Sequence, residues 1–190
     1  MTKELAETIA KESGYSHWGI FPVGSLNFRE EVRDMCKSDR CGKYGKLWTC
    51  PPALGSLEEI ADKARKYDWG ILLQTTGELE DSFDYESIDQ TMNEARSHFI
   101  NFISALSNKA LAEDYLPMSS NGCDKCEKCT YPGSPCRFPD QAIPSIEAYG
   151  LIVNDVCTSA NLSYYYGKNT ITFSAAVLFR QADPLQPLIQ

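Results

Sequence analysis

Apolar residues recur along the chain with two periods, and the period changes from segment to segment. In residues 2–13, Leu5, Ala6, Ile9 and Ala10 fall at helical spacing and Gly14 follows as a stop, so a helix is predicted. Trp18–Val23 is a short apolar run punctuated by Pro22 and Gly24, and it reads as a strand. Phe28–Met35 is charged and predicts a short helix. Ser56 and Glu59 stand in a capping-box pattern, each side chain able to reach the other's backbone N–H, and the helix they begin is expected to run to Tyr67. Trp69–Thr75, WGILLQT, predicts a buried strand.

Farther along, Asp84 is placed to cap a long helix through Ala110, on which Phe99, Phe102, Ile103, Leu106 and Ala110 share one face. Tyr115–Ser119 predicts another strand. Ser145 after Pro144 predicts a helical turn that Gly150 interrupts, and Asn154 is expected to cap a helix over Asp155–Leu162. Thr170–Phe179 is the clearest strand, and residues 181–190, with Pro184 and Pro187, predict an irregular tail. Helical and extended segments thus alternate. That predicts an α/β fold, a small sheet of about four strands covered by helices. The whole chain, 1–190, reads as a single domain, with two loops rich in Cys, Gly and Pro, 36–55 and 121–140, inserted into it.

Charge narrows the function classes. Lys plus Arg number 18 against 26 Asp plus Glu, a net charge of −8. Such a chain lacks the positive field that draws nucleic acid or anionic membrane, so neither is expected as a partner. Its most apolar stretch, Ile171–Phe179, is about half the roughly 20 residues a membrane helix needs. Met1–Ser13 carries five charges and no apolar core of a secretory signal, so the expected location is the cytoplasm.

That location gives the eight cysteines their meaning. Thiols in a reducing compartment rarely stay paired, and clustered ones are more often metal ligands or redox groups. Only two histidines are present, so a bound metal here would be held mainly by sulfur.

The strongest pattern is Cys123-x2-Cys126-x2-Cys129-x6-Cys136-Arg-Phe-Pro. Three cysteines at successive intervals of three aim several thiolates inward from one tight loop, as a cubane iron–sulfur cluster requires. Ferredoxins use such a run for three ligands of one [4Fe–4S] cluster, and Cys136 could close the same site. Gly122, Pro132, Gly133 and Pro135 favour turns that leave N–H groups free to point at sulfur. Lys125, Lys128 and Arg137 add positive charge that would favour the reduced, more negative cluster. The competing reading is tetrahedral zinc, which more often takes two separated C-x2-C pairs.

The first loop, Cys36-x4-Cys41-x8-Cys50-Pro51-Pro52, offers three thiolates in fifteen residues. It lacks a fourth. One candidate is Cys157, in the first turn of the helix that Asn154 would cap, where the helix dipole favours thiolate. The other option leaves one metal position open to substrate, as Lewis-acid catalysis needs, with Tyr44 and Trp48 lining a pocket beside it.

Taken together, these loops resemble the family of predicted metal-binding proteins known as domain of unknown function 2284. The matching residues are Cys36, Cys41, Tyr44, Trp48 and Cys50-Pro51-Pro52, then Gly122-Cys123, Cys126, Cys129, Cys136-Arg137 and Pro139. Pro144-Ser145-Ile146-Glu147-Ala148 followed by Gly150 is similar too. The resemblance spans roughly residues 15–180 and implies metal binding by the seven cysteines of the two loops; Cys157 lies outside the family's pattern.

Other residues carry less. His17 and His98 read as surface or boundary residues, Tyr164–Tyr166 as a run alternating between core and surface, and Glu78, Glu80, Asp81, Asp84 and Glu86 as solvated loop. No glycine-rich phosphate loop, G-x-G-x-x-G or G-x-S-x-G elbow is present, so nothing points to nucleotide binding or to a serine nucleophile. The expected function is therefore a metal-binding, [4Fe–4S] protein of electron-transfer or redox role. It would hold one cluster, or two, and act with a redox partner protein or a small-molecule substrate. The alternatives are a zinc-stabilised interaction module and a metal-dependent enzyme with an open site at the first loop; no catalytic residue is assigned.

Overall fold

The computed structural model describes residues 1–109 and 114–181. The helices are α1 (Lys3–Glu12), α2 (Glu30–Lys37), α3 (Leu57–Ala64), α4 (Tyr85–Ser107) and α5 (Val153–Ser159). The strands are β1 (His17–Pro22), β2 (Trp69–Glu78), β3 (Tyr115–Met118) and β4 (Thr170–Phe179). They form one sheet in the order β1-β2-β4-β3, and every neighbouring pair is antiparallel.

Side chains alternate across this sheet and feed two cores. On one face Phe21, Leu72, Leu116, Met118, Ala176 and Leu178 pack with Ile60 and Ala64 of α3 and with Val156 and Ala160 of α5. On the other, Trp69, Ile71, Leu73, Tyr115, Val177 and Phe179 pack with Ile9 of α1 and with Phe99, Phe102 and Leu106 of α4. Both faces of the central strands are thus covered, which explains why WGILLQT is continuously apolar up to Leu73 rather than alternating. The α/β layering expected from the sequence is present.

Several boundaries move for identifiable reasons. β2 runs three residues beyond Thr75 because β4 pairs with it throughout, Glu78 opposite Thr170. The extension is polar, so hydrophobic periodicity does not reveal it; the Thr76 and Thr172 hydroxyls lie 3.0 Å apart across the pair. α5 starts at Val153, not Asp155, and Asn154 does not cap it. Ile152 holds the cap position, its carbonyl accepting from Asp155 and Val156 N–H. α4 ends at Ser107, and the expected end at Ala110 lies outside the described residues, as does nearly all of the expected tail.

Two local devices are as the sequence predicts. Asp84 caps α4, accepting from Ser87 N–H at 3.1 Å. Ser56 Oγ accepts from Glu59 N–H at 3.2 Å while the Glu59 carboxylate accepts from Ser56 N–H at 2.7 Å. Ser56→Ala should lower stability by about 1 kcal/mol, measured by urea unfolding, because the Glu59 N–H loses its acceptor; no change in midpoint would show that water replaces the cap. A close approach is made at Gly19, where a Cβ would overlap the Ala160 carbonyl oxygen, so α5 can lie directly on β1. Among the described residues no helix is long and apolar enough to cross a membrane.

Candidate metal centre

The first cysteine loop leaves the C-terminus of α2 and returns at α3. Cys36 sits in the last turn of α2. Asp39 then turns the chain with a positive φ of 52°. Its carboxylate accepts from Tyr44 N–H and from Lys46 Nζ, both at 2.9 Å. Gly45, at φ 65°, donates its N–H to the Pro51 carbonyl at 2.8 Å. This left-handed turn favours glycine, and it folds the Cys50 end of the loop back over the Cys41 end.

Folding back brings the three thiols together electrostatically. Burial pushes the Cys36 thiol above its ordinary pKa, the neighbouring Cys41 adds to this, and the Arg33 guanidinium opposes it. Burial likewise raises Cys50, the Thr49 hydroxyl opposes this, and Cys41 and Cys36 both press on it. These two thiols are therefore protonated at neutral pH, and a metal binding here would displace their protons. Arg33 also ties this corner to the fold, donating to the Gly55 carbonyl at 2.7 Å and the Ala148 carbonyl at 3.0 Å.

The second loop leaves the end of edge strand β3. Its base is closed where Ser119 N–H donates to the Pro144 carbonyl and Ile146 N–H to the Ser119 carbonyl. Inside it, Thr130 Oγ1 donates to the Pro135 carbonyl at 2.8 Å and Arg137 to the Lys128 carbonyl at 2.9 Å. Cys123, Cys126, Cys129 and Cys136 all line one small cleft, together with Lys125 and Arg137. Its open volume is about 20 Å³, room for one water-sized body. Burial raises the Cys123 thiol, the Lys125 backbone N–H pulls the other way by hydrogen-bonding to it, and Asp124, Cys136 and Cys126 add repulsion. The turn thus supplies the N–H donor to sulfur that its composition predicts, at least at Cys123.

The structure also joins the two loops, which no spacing in the sequence shows. Leu47, Trp48 and Thr49 of the first loop line the cleft of the second. Trp48 Nε1 donates to the Ser134 carbonyl at 3.1 Å, and its ring meets Tyr131 edge-on at 4.9 Å. Lys43, whose charge favours the Cys50 thiolate, lies against Gly122. Trp48 is therefore a wall of the four-cysteine cleft; it also lines a second cavity with Leu54 of the first loop, one that none of the loop's cysteines reaches. Tyr44 is not among that cleft's lining residues.

Thr49 is the residue that sequence reading passed over. It is only 2% exposed, yet its hydroxyl lacks a hydrogen-bond partner. It stands close enough to Cys50 to favour the thiolate. A buried orphan donor beside a thiol is costly without an anionic acceptor and satisfied with one. In their chemistry, that hydroxyl, the loop thiols and the nearby cations suit a thiolate-held metal group. Among the described residues no three Cys, His, Asp or Glu side chains converge as they would on a single ion.

Cys157 is not part of this centre. It is 1% exposed in the core between sheet and α5, and its sulfur accepts from Gln74 Nε2 at 3.4 Å. Burial pushes its thiol up to about 11, so it stays protonated. Of the two options for the first loop, Cys157 is the one this packing disfavours: it lies past the first turn of α5, against the sheet. His98 lies against Thr75 Oγ1 at 2.9 Å and edge-on to Tyr15, and His17 stacks on Tyr166 at 4.0 Å; both serve packing.

The family model of the predicted metal-binding proteins, domain of unknown function 2284, matches residues 19–179, and the chain belongs to that family. No curated protein and no solved structure matches it.

Proposed function

We propose that this member of a metal-binding family carries a [4Fe–4S] cluster on Cys123, Cys126, Cys129 and Cys136 and works in one-electron redox chemistry. Cys36, Cys41 and Cys50 would hold a second metal group beside it. The observation that carries this reading is that all four second-loop cysteines line one cleft, in a C-x2-C-x2-C run with Lys125 and Arg137 beside them. Such a cluster, when bound, supplies reversible one-electron transfer. The chain's own contribution is to hold four thiolates, to offer the Lys125 N–H to Cys123, and to exclude water with Trp48.

A zinc-stabilised module is the second reading. The cleft's small volume favours it, being nearer to one ion than to a cubane. Anaerobic purification followed by metal and acid-labile sulfide assay separates the two. About four irons and four sulfides with brown absorption support the cluster, and about eight of each place one at both loops. Colourless protein with zinc and no sulfide overturns it.

Thr49→Val tests the orphan hydroxyl, with opposite signs in two states. Metal-free protein should be as stable as the parent or more so, since an unsatisfied buried donor is replaced by a methyl. A redox-active group on Cys50 should lose a hydrogen bond worth about 1 kcal/mol, lowering its one-electron potential by about 40 mV. Redox titration followed by electron paramagnetic resonance reads the shift, and an unmoved potential would deny the hydroxyl that role.

A further inference from the structure

The geometry points to a binding site for a small, uncharged, largely apolar molecule in the cavity between α4 and the second cysteine loop, where it would lie against Cys123. The assignment rests on the redox reading only for what such a molecule would be used for. The cavity has a volume of about 280 Å³, and Cys123 is one of its lining residues. This is close to the lower end of the range for small-molecule sites, roughly 300–1,000 Å³.

One wall is the apolar surface of α4, from Phe99, Ile100 and Ile103. Phe99 belongs to the core, but Ile100 is 54% exposed, a large apolar side chain left over the cavity. The facing wall is the 119–122 segment leading into the cysteines. Its hydrogen-bonding capacity is partly spent, since the Ser119 hydroxyl donates within the protein, at 2.6 Å to the Asn121 carbonyl and at 3.2 Å to that of Ile143.

Charge decides the class of occupant. The cavity's cations, Arg96 and Lys125, are matched in number by its carboxylates, Asp124 and Asp140. Arg96 is committed to Asp124 at 2.7 Å, a pair that fastens α4 to the cysteine loop. Lys125 and Asp140 remain, opposite in sign, so the cavity's net charge favours neither an anion nor a cation enough to offset its lost hydration, whereas an apolar ring gains the Ile100 and Ile103 surface. Its place beside Cys123 is the reason to expect a redox substrate: a molecule there is in contact with a residue of the four-cysteine set.

The test uses 2-naphthol, 2-naphthoate and the 2-naphthylmethylammonium cation as probes of one shape and three charges. Fluorescence titration against the full chain, purified anaerobically, should show saturable binding of 2-naphthol and much weaker binding of both ions. Ile100→Asp removes apolar contact at an exposed position, and Ser104→Trp fills the cavity from another exposed position. Each should weaken 2-naphthol binding about tenfold or more, with metal and sulfide content unchanged. Absent saturation, equal binding of the ions, or indifference to both substitutions would overturn the site. Colourless, sulfide-free protein that still binds 2-naphthol in an Ile100-dependent way would uphold the site while removing the redox reading.

Discussion

Cys126→Ala should yield folded protein that has lost its iron, its sulfide and its visible absorption. Cys126 sits in the middle of the C-x2-C-x2-C run and lines the four-cysteine cleft. A cluster deprived of one thiolate is left with an open iron, and no neighbouring side chain in the run can take its place without moving the loop. Losing an outer hydrogen-bond partner of a metal ligand costs about 10–100-fold in affinity, so losing the ligand itself should cost about 100-fold or more. Far-UV circular dichroism should be unchanged, because Cys126 is half-buried and belongs to neither hydrophobic core. Iron and sulfide assays after anaerobic reconstitution check the result. Parental iron content and spectrum in the variant would remove Cys126 from the ligand set. If the second reading holds instead, the same variant loses zinc and the metal-linked part of its stability, with no colour to lose.

The second large effect is structural and should be independent of metal. Phe102 is fully buried, at the centre of the α4 face, with its ring edge-on to Tyr15 at 6.2 Å. Phe102→Ala should lower stability by about 3–5 kcal/mol, the sum of lost transfer energy and a cavity that rigid neighbours cannot close. Urea unfolding should show a lower midpoint with a similar slope. The decrease should be the same in metal-loaded and metal-free protein, since the cleft lies on the loops and not in this core. A decrease seen only in the loaded form would mean that α4 and the cysteine loop unfold as one unit, coupled through the Arg96–Asp124 pair. Together the two variants separate what holds the fold from what holds the metal.

Much of this architecture is written in local chemistry. The four strands, the Asp84 cap and the Ser56–Glu59 box follow from periodicity and short-range hydrogen bonding, which act between residues close in sequence. The family and its seven loop cysteines are legible for the same reason: cysteines gathered within one loop declare themselves by spacing. Polar pairing is less legible. The last three residues of β2 are strand because β4 lies beside them, and Asn154 fails as a cap because Ile152 already closes the turn.

What only the tertiary structure decided is how the two loops meet. Trp48 and Thr49 wall a cleft whose cysteines lie more than seventy residues away, and Lys43 rests on Gly122 across a similar separation. No local rule pairs segments so distant. The two loops meet because α3 and β3 are fixed by cores on the faces of one sheet, and Arg33 ties α2 to the Gly55 and Ala148 carbonyls. Which cysteines the two loops offer is a property of the sequence; that the loops meet, and that Cys157 is buried between sheet and α5, is a property of the fold.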